Sequence, residues 1–277
     1  MKKNIGLMTG IVLLLIFLSA CANKEQNSNV LRVGIDLKFP PFSYMDDRGN
    51  AAGFEPAVAQ AFADFMGMEL EIVNTDFSML IPALDTGNVD ILIADMSATP
   101  ERAQKADFSN PYRYTYTLAL INKDFAQKHA VSDDMNEADF FAIDGAKFIG
   151  LSGTKGVYYP QNYGVNVTEV TEIGTGLLEI SRGISDILIA SNEIHGFHAA
   201  DKVNTVVYSG IQSQDASNFA VKKGNTELLE KANEFIASMY AEGGFYDTIK
   251  AEYDPIIAEF LQNDALGLDY IILPATN

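Results

Sequence analysis

Short apolar runs alternate along the chain with longer stretches in which apolar residues recur every three or four positions. Residues 91–94 (Ile-Leu-Ile-Ala) are continuously apolar, which predicts a strand buried on both faces. Residues 70–73 predict an earlier strand. A helix from near Glu55 to Gly67 is predicted before that strand, and a second helix at residues 78–86 after it. This alternation indicates a parallel sheet with helices on both faces.

The same strand pattern occurs twice. Residues 87–94 read Gly-Asn-Val-Asp-Ile-Leu-Ile-Ala, and residues 183–190 read Gly-Ile-Ser-Asp-Ile-Leu-Ile-Ala. Each copy follows a stretch with helical periodicity, so the repeat predicts two lobes of similar build. Ligands of such sheets bind beyond the carboxyl ends of the strands, which places a site in the cleft between the lobes.

The chain is predicted to cross between the lobes twice. Residues 112–121 alternate Tyr and Thr in part and indicate an extended first crossing, and residues 218–221 indicate the return. We therefore predict a first lobe from residues 30–115 plus 218–277 and a second lobe from residues 116–217. The tail from Glu252 onwards is partly apolar and is expected to pack on the fold.

The first 20 residues have the pattern of a secretory signal. Two lysines precede an apolar run at residues 11–18, and small residues precede Cys21. Leu-Ser-Ala-Cys resembles a bacterial lipobox, so residues 1–20 are predicted to be a lipoprotein signal peptide and Cys21 the lipidated (palmitate-type) N-terminus. An ordinary secretory signal with a leftover thiol is the alternative. Residues 21–29 are polar and predict a flexible tether.

Charge excludes several classes of partner. The formal net charge is −18, and loss of Lys2 and Lys3 with the signal makes the mature chain more acidic still. Such a surface argues against nucleic acid and anionic lipid as binding partners. Cys21 is the only cysteine, and His195 and His198 are too few for a metal site, so no cofactor is expected.

Candidate chemistry gathers after the strand at residues 91–94. Thr99 followed by Pro100 predicts a helix start, where free backbone amides favour an anion. Arg102 lies in the first predicted turn and suits a carboxylate. The alternative is an arginine paired to a neighbouring acid on a solvated helix face. The loop at residues 152–156 is predicted to face this segment across the cleft.

Taken together, the motifs carry a family resemblance. The chain resembles the bacterial extracellular solute-binding proteins of family 3, the amino-acid receptors of ABC importers, over nearly all of residues 30–253. The resemblance implies an α/β fold of type II periplasmic-binding-protein architecture. In it, two lobes, each a mostly parallel sheet flanked by helices, are joined by two hinge strands and close on a ligand in the cleft between them. The matching segments are Pro41-Phe42, Gly53-Phe54-Glu55, Phe77 with Leu80-Ile81-Pro82-Ala83-Leu84, Gly87 with Asp90, Thr99-Pro100-Glu101-Arg102, Phe108-Ser109 with Pro111-Tyr112, and Gly150 with Gly153-Thr154.

The resemblance also implies a site for the ligand carboxylate. At matching positions Arg102 would bind this carboxylate, helped by Ser97 and by the loop that contains Thr154 and Lys155.

Side-chain recognition is implied at three further positions. Phe39 and Phe77 match aromatic residues that sandwich the ligand side chain, although Phe77 is also typical of a core residue. Asp36 matches a position that contacts a cationic side chain in basic-amino-acid receptors, and capping a loop is its alternative role.

Two departures concern the ligand amino group. Where the family usually has an Asp after the second-lobe strand, this chain has Ser191 and Asn192; where it usually has Gly or Ser in the first repeat, this chain has Asp95. Either the amino-group anchor has moved across the cleft to Asp95, or the ligand is not an ordinary α-amino acid. Asp36 and Asp95 at one sheet edge, with positive charge only from Arg102 and Lys155, favour a zwitterionic or cationic ligand.

These features predict a non-enzymatic, monomeric binding protein. It would capture an amino acid or related small amine outside the cytoplasm, anchored to the membrane by lipid, and deliver it to an ABC permease. A dehydratase on the same fold, with Lys155 and Glu193 as acid and base, is one alternative. A ligand-sensing lipoprotein is another.

Overall fold

The computed structural model describes residues 29–261 and 264–274. The fold below is that of the compact unit that the chain forms from Leu31 onwards. The predicted signal peptide, Cys21 and almost all of the predicted tether lie outside the described residues. Within the described part, no helix is both long and apolar enough to cross a membrane.

Fourteen strands are described, and they form three sheets. In chain order they are β1 (Val30–Ile35), β2 (Lys38–Phe39), β3 (Ser43–Met45), β4 (Ala51–Ala52), β5 (Glu69–Asn74), β6 (Ile91–Met96), β7 (Ala106–Tyr116), β8 (Leu118–Asn122), β9 (Phe148–Leu151), β10 (Val167–Val170), β11 (Ile187–Ala190), β12 (Thr205–Tyr208), β13 (Gln214–Lys222) and β14 (Leu273–Pro274).

Ten α-helices of the described chain lie between and after these strands. They are α1 (Phe54–Met66), α2 (Leu80–Thr86), α3 (Lys123–Lys128), α4 (Glu137–Phe141), α5 (Lys155–Gln161), α6 (Ile173–Ser181), α7 (Ile194–Ala200), α8 (Thr226–Met239), α9 (Phe245–Leu261) and α10 (Leu268–Ile271).

Two large sheets confirm the predicted two-lobed α/β fold. The first lobe is built on a six-stranded sheet in the order β14-β7-β13-β6-β1-β5, and the second on a five-stranded sheet in the order β10-β9-β11-β8-β12. Strands β1 and β6 pair in parallel, as do β9, β10 and β11. The crossing strands β7 and β13 pair antiparallel, as do β8 and β12 with their neighbours, so both sheets are more mixed than the sequence pattern alone indicates. The boundaries predicted at residues 115 and 218 fall inside β7 and β13 and stay a prediction.

The two copies of the sequence repeat occupy equivalent places. Strand β6 lies between β13 and β1, and β11 lies between β9 and β8. The helix before each strand ends near a glycine with positive φ, +75° at Gly87 and +67° at Gly183. Since a left-handed residue is the usual way to end a helix, these glycines turn the chain into the following buried strand.

The C-terminal tail packs mainly on the first lobe. Tyr253, Ile257, Leu261, Leu268 and Ile272 are buried in its core, and β14 pairs with β7 at the sheet edge. These contacts explain why residues 252–277 are partly apolar.

The same tail also touches the second lobe. Gly196 on α7 lies against the ring of Phe260 on α9, so closely that a Cβ added at Gly196 would be 1.9 Å from the Phe260 Cζ atom. The rings of His195 and Tyr270 are 5.0 Å apart. The tail therefore spans the two lobes.

Backbone-to-backbone packing holds α5 against the second sheet. A Cβ added at Gly156 would be 2.2 Å from the Ile189 carbonyl oxygen on β11, so only glycine fits this position. This contact sets the distance of the first turn of α5 from the sheet.

We expect Gly156→Ala to lower the free energy of unfolding by about 1–3 kcal/mol, because two backbone segments must move apart. Gly174→Ala is the matched control: Gly174 is an exposed helical glycine with no atom within 4 Å of an added Cβ. It should raise the free energy of unfolding by about 0.5–1 kcal/mol through helix propensity. Urea unfolding of both variants measures the difference, and equal effects would contradict the packing argument.

Candidate functional site

A cavity of about 80 Å³ lies between the lobes, at the carboxyl ends of β1, β6, β9 and β11. All the predicted binding residues except Asn192 line it. The charged Glu55 and Arg113 also line it, and the sequence analysis did not place them there; Glu193, considered only for the enzymatic alternative, lines it too. The predicted lining residues are Asp36, Phe39, Phe77, Asp95, Ser97, Arg102, Thr154, Lys155 and Ser191.

Asn192 is not among the lining residues of this cavity. Its Oδ1 accepts a hydrogen bond from the Tyr116 backbone N–H at 2.8 Å, which ties the start of α7 to the end of β7. The predicted contact of Asn192 with ligand therefore has no support in the geometry, since the side chain is engaged at the crossing.

Arg102 lies on a shorter element than predicted. Thr99 and Pro100 do not start an α-helix: only a single 3₁₀ turn, Arg102–Gln104, follows them, because the chain enters β7 at Ala106. The Thr99 hydroxyl still accepts from the Arg102 backbone N–H at 3.3 Å. The expected array of free helix N–H groups is therefore absent from this segment, and the positive charge at the site comes from the guanidinium.

The Arg102 side chain reaches across the cleft. It donates to the Ser97 carbonyl oxygen at 2.9 Å and to the Gly153 carbonyl oxygen of the second lobe at 2.8 Å. Its guanidinium carbon lies 5.2 Å from the centre of the Phe77 ring. Among the described residues no carboxylate pairs with it, which argues against the alternative of a surface ion pair. Burial lowers the pKa of Arg102, as expected for a cation with no anionic partner.

Asp36 is buried at the end of β1 and is only partly satisfied. Its Oδ2 accepts from the Phe77 backbone N–H at 3.0 Å, as the capping alternative expects, but within the described chain its buried Oδ1 has no hydrogen-bond partner. Burial raises the pKa of the Asp36 carboxyl to about 6, and the nearby Lys38 ammonium limits the rise.

Two aromatic rings flank the cavity from different sides. Phe77 is partly buried against the first-lobe core and also lines the cavity, so both of its predicted roles are compatible with its position. Phe39 belongs to β2 of the first lobe but packs against the apolar cluster of the second.

The second-lobe loop is held by its own hydrogen bonds. The Thr154 hydroxyl caps α5 by accepting from the Gly156 backbone N–H at 3.2 Å, and it donates to the Leu151 carbonyl oxygen at 2.7 Å. Lys155 is 8% exposed and forms an ion pair of 2.7 Å with Asp215 on β13. The Lys155 charge is therefore neutralised within the protein.

A buried ion network lies beneath the cavity. Arg113 Nη2 is 2.8 Å from Glu55 Oε1 and 3.2 Å from Asp95 Oδ1. The Tyr112 hydroxyl donates to the same Glu55 oxygen at 2.6 Å. Burial raises the pKa of Glu55. Burial opposes the charge of Arg113, but Asp95, Tyr112 and Glu55 outweigh it and raise the Arg113 pKa well above its usual value.

This network gives Asp95 partners within the protein itself. Asp95 pairs with Arg113, not with Arg102 or Lys155, and it also accepts from the Ser217 hydroxyl. The Ser191 hydroxyl donates to its other oxygen at 3.3 Å across the cleft. The premise that only Arg102 and Lys155 bring positive charge to the site was therefore wrong, because Arg113 was overlooked.

Glu193, just before α7, is one of three cavity-lining carboxylates that have an unsatisfied buried oxygen within the described chain, together with Asp36 and Glu55. The residue as a whole is partly exposed, but its Oε2 atom is buried and has no hydrogen-bond partner within the described chain. Burial raises the pKa of Glu193 to about 7, and Asp95 adds to the rise, whereas Arg113 and Lys155 oppose it.

We expect Arg113→Met to lower the free energy of unfolding by about 3–5 kcal/mol near pH 7, because it leaves Glu55 and Asp95 buried without a cation. The loss should narrow as the pH falls from about 8 to about 5, since an unpaired buried carboxylate takes up a proton. Lys223→Met, which removes a partly exposed pair with Asp107, is the control and should cost less than about 1 kcal/mol. Urea unfolding at several pH values measures both, and similar small losses would contradict a structural role for the network.

Comparisons with known proteins agree with this arrangement. Residues 31–254 match the family model described as bacterial extracellular solute-binding proteins, family 3. The L-cystine-binding protein TcyJ of Escherichia coli (strain K12) is 29% identical over 225 residues, covering 80% of this chain and 81% of TcyJ. The L-arginine-binding protein of Pseudomonas aeruginosa is 29% identical over 235 residues, covering 80% of this chain and 87% of the Pseudomonas protein.

A solved structure shares the fold. The crystal structure of the ancestral amino acid-binding protein AncCDT-1, a precursor of cyclohexadienyl dehydratase, superposes with a TM-score of 0.70 at 28% identity. The superposition covers 81% of this chain and 95% of AncCDT-1. With the family match over residues 31–254, this shows that the chain belongs to the bacterial extracellular solute-binding proteins of family 3.

Proposed function

We propose that this protein is a lipid-anchored receptor that captures an amino acid outside the cytoplasm and delivers it to an ABC permease. The observation that carries the proposal is Arg102, a cavity-lining guanidinium whose hydrogen-bond partners are two carbonyl oxygens. A ligand carboxylate would give this cation the bidentate anionic partner that it lacks among the described residues. Ser97 and Thr154 also line the cavity, where they would help Arg102 to bind the ligand carboxylate.

Asp36 gives the reason to favour a zwitterionic or cationic ligand. Asp36, whose Oδ1 has no partner within the described chain, lines the same cavity as Arg102, so the site offers separate anionic and cationic partners. A cationic group near Phe39 or Phe77 would also gain about 0.5–2 kcal/mol if it lay over a ring face. Asp95 supports this preference less than Asp36 does, because it already pairs with Arg113, which it shares with Glu55. Relatives whose names specify cystine and arginine are compatible with an amine-containing ligand.

Contacts across the cleft support capture by hinge closure. Lys38 of the first lobe forms an ion pair with Asp76 of the same lobe. It also forms an ion pair of 3.0 Å with Glu172 of the second lobe. Arg102 and Asp95 make the two further cross-lobe hydrogen bonds described above. Rotation about β7 and β13 would break these bonds in an open state and reform them around ligand.

A dehydratase activity is the second candidate, since the structurally similar AncCDT-1 is a precursor of such an enzyme. Glu193, with a pKa near 7, suits proton transfer. Lys155 suits it less well, because its ammonium group is already engaged by the Asp215 carboxylate at 2.7 Å. We therefore favour binding without chemistry.

We expect Arg102→Ala to weaken L-arginine binding by about 3 kcal/mol or more, because the variant loses the charged partner of the ligand carboxylate. Lys105→Ala removes an exposed cation three positions away and is the matched control, which should bind as the wild type does. Titration calorimetry with lysine, arginine, a neutral amino acid and glutamate measures the wild-type preference at one ionic strength. Unchanged affinity in Arg102→Ala would overturn the carboxylate site, and tightest binding of glutamate would overturn the charge preference.

The lipid anchor rests on the sequence around Cys21. We expect Cys21→Ser to leave the membrane fraction, because a serine cannot carry the thioether-linked lipid. Ala22→Ser, the neighbouring substitution, should stay membrane-bound. Mass spectrometry of the wild type should show a chain that begins at modified Cys21, and an unmodified thiol or a retained Met1 would contradict the anchor.

A further inference from the structure

Three cavity-lining carboxylates have a buried oxygen without a hydrogen-bond partner within the described chain: Asp36, Glu55 and Glu193. Glu55 is already held by Arg113 and Tyr112 through its other oxygen. Asp36 belongs to the first lobe and Glu193 to the second. A buried, unpaired carboxylate oxygen has an unfavourable free energy that a bound donor relieves. Asp36 and Glu193 are therefore the two cavity-lining carboxylates that lack a cationic hydrogen-bond donor within the described chain.

Asp95 is a poor candidate for the ligand amino group. Arg113 and the Ser217 hydroxyl share its Oδ1, and the Ser191 hydroxyl donates to its Oδ2. Asp95 therefore already shares the buried guanidinium of Arg113 with Glu55 before any ligand arrives. An ammonium bound there would have to compete with Arg113, whose positive charge would repel it.

Glu193 differs from Asp95 in its surroundings. It follows β11 by three positions and enters the cavity from the second lobe, and no ion pair of the described residues includes it. The charged groups that face it are Asp95 on β6, Arg113 on β7 and Lys155 on α5. Each of the two cations already has a carboxylate partner within ion-pair distance, Asp95 or Glu55 for Arg113 and Asp215 for Lys155.

We propose that Glu193 is the anchor for the ligand's α-amino group and thus a specificity residue supplied by the second lobe. The inference rests on the proposed amino-acid function and names the partner of one ligand group. Arg102 takes the carboxylate, Glu193 takes the adjacent ammonium, and Asp36 is left for a cationic side chain.

Proton release follows from this role. An ammonium beside Glu193 favours the ionised carboxylate and lowers its pKa from about 7. Below neutral pH, where part of the free protein holds a proton on Glu193, binding must expel that proton. Asp36 has a pKa near 6, so it also releases a proton when a cationic side chain binds beside it. Ligands with and without the α-amino group are therefore needed to separate the protons released by Glu193 from those released by Asp36.

Pairs of probes that differ only in the α-amino group test the proposal. L-arginine is compared with δ-guanidinovalerate, and L-lysine with ε-aminocaproate, by titration calorimetry. The wild type should prefer the amino acid over its partner by on the order of 100-fold. In Glu193→Gln this preference should fall at least tenfold, while affinity for δ-guanidinovalerate changes little. Glu230→Gln, an exposed glutamate on α8, should keep the wild-type preference.

A measurement on the wild type keeps the test valid even if Glu193→Gln does not fold. Near pH 6.5, titrations in buffers of different ionisation enthalpy should show more protons released by L-arginine than by δ-guanidinovalerate, since Asp36 contributes equally to both. Equal release, or an undiminished preference in Glu193→Gln, would overturn the role of Glu193 and leave the proposed function intact. Loss of the preference in Asp95→Asn instead would assign the anchor to Asp95. Failure of the wild type to bind either amino acid would overturn this inference together with the cationic ligand class.

Discussion

The ion pair between buried Arg113 and its two carboxylates is the constraint on which the site depends. Arg113 is 2% exposed, and it joins Glu55 at the start of α1 to Asp95 at the end of β6. Ser217 attaches β13 to the same cluster. Removing Arg113 would leave two carboxylates without a cation in a region of low dielectric, so the guanidinium holds four elements of the first lobe together beneath the cavity.

This network also decides which charges remain for a ligand. Asp95 is engaged in this network through its ion pair with Arg113, and Lys155 is engaged by its ion pair with Asp215. In the part of the chain that the structure describes, the cavity charges without an ionic partner are then one guanidinium and two carboxylates, Arg102, Asp36 and Glu193. The strongly negative overall charge of the chain would not have revealed this local balance, since specificity follows from individual pairs rather than from net charge.

Sequence reasoning succeeded where local pattern and chemistry coincide. The strand at residues 91–94 and its repeat follow from apolar runs, and residues at strand ends were correctly expected to converge on one cleft. Arg113 was missed because its partner Glu55 lies 58 positions away, and no local pattern reports such a pairing. A lone arginine among the aromatic and hydroxyl residues of β7 was the available signal. The prediction of a helix at Thr99 was wrong because it relied on a local pattern alone. The capping residues are favourable, but β7 begins at Ala106 and leaves room only for a single 3₁₀ turn.

The C-terminal tail gives the receptor an unusual thermodynamic property. It extends past residue 254, where the family match ends, and it is rooted in the first lobe while Phe260 rests on Gly196 of the second. Gly196 belongs to the short helix that Glu193 precedes. The proposed rotation of one lobe against the other would disturb the contact between the phenylalanine ring and this glycine. The free energy of a contact outside the cavity would then enter the proposed opening and closing equilibrium, and a change in the tail would alter the apparent affinity for ligand without touching a binding residue.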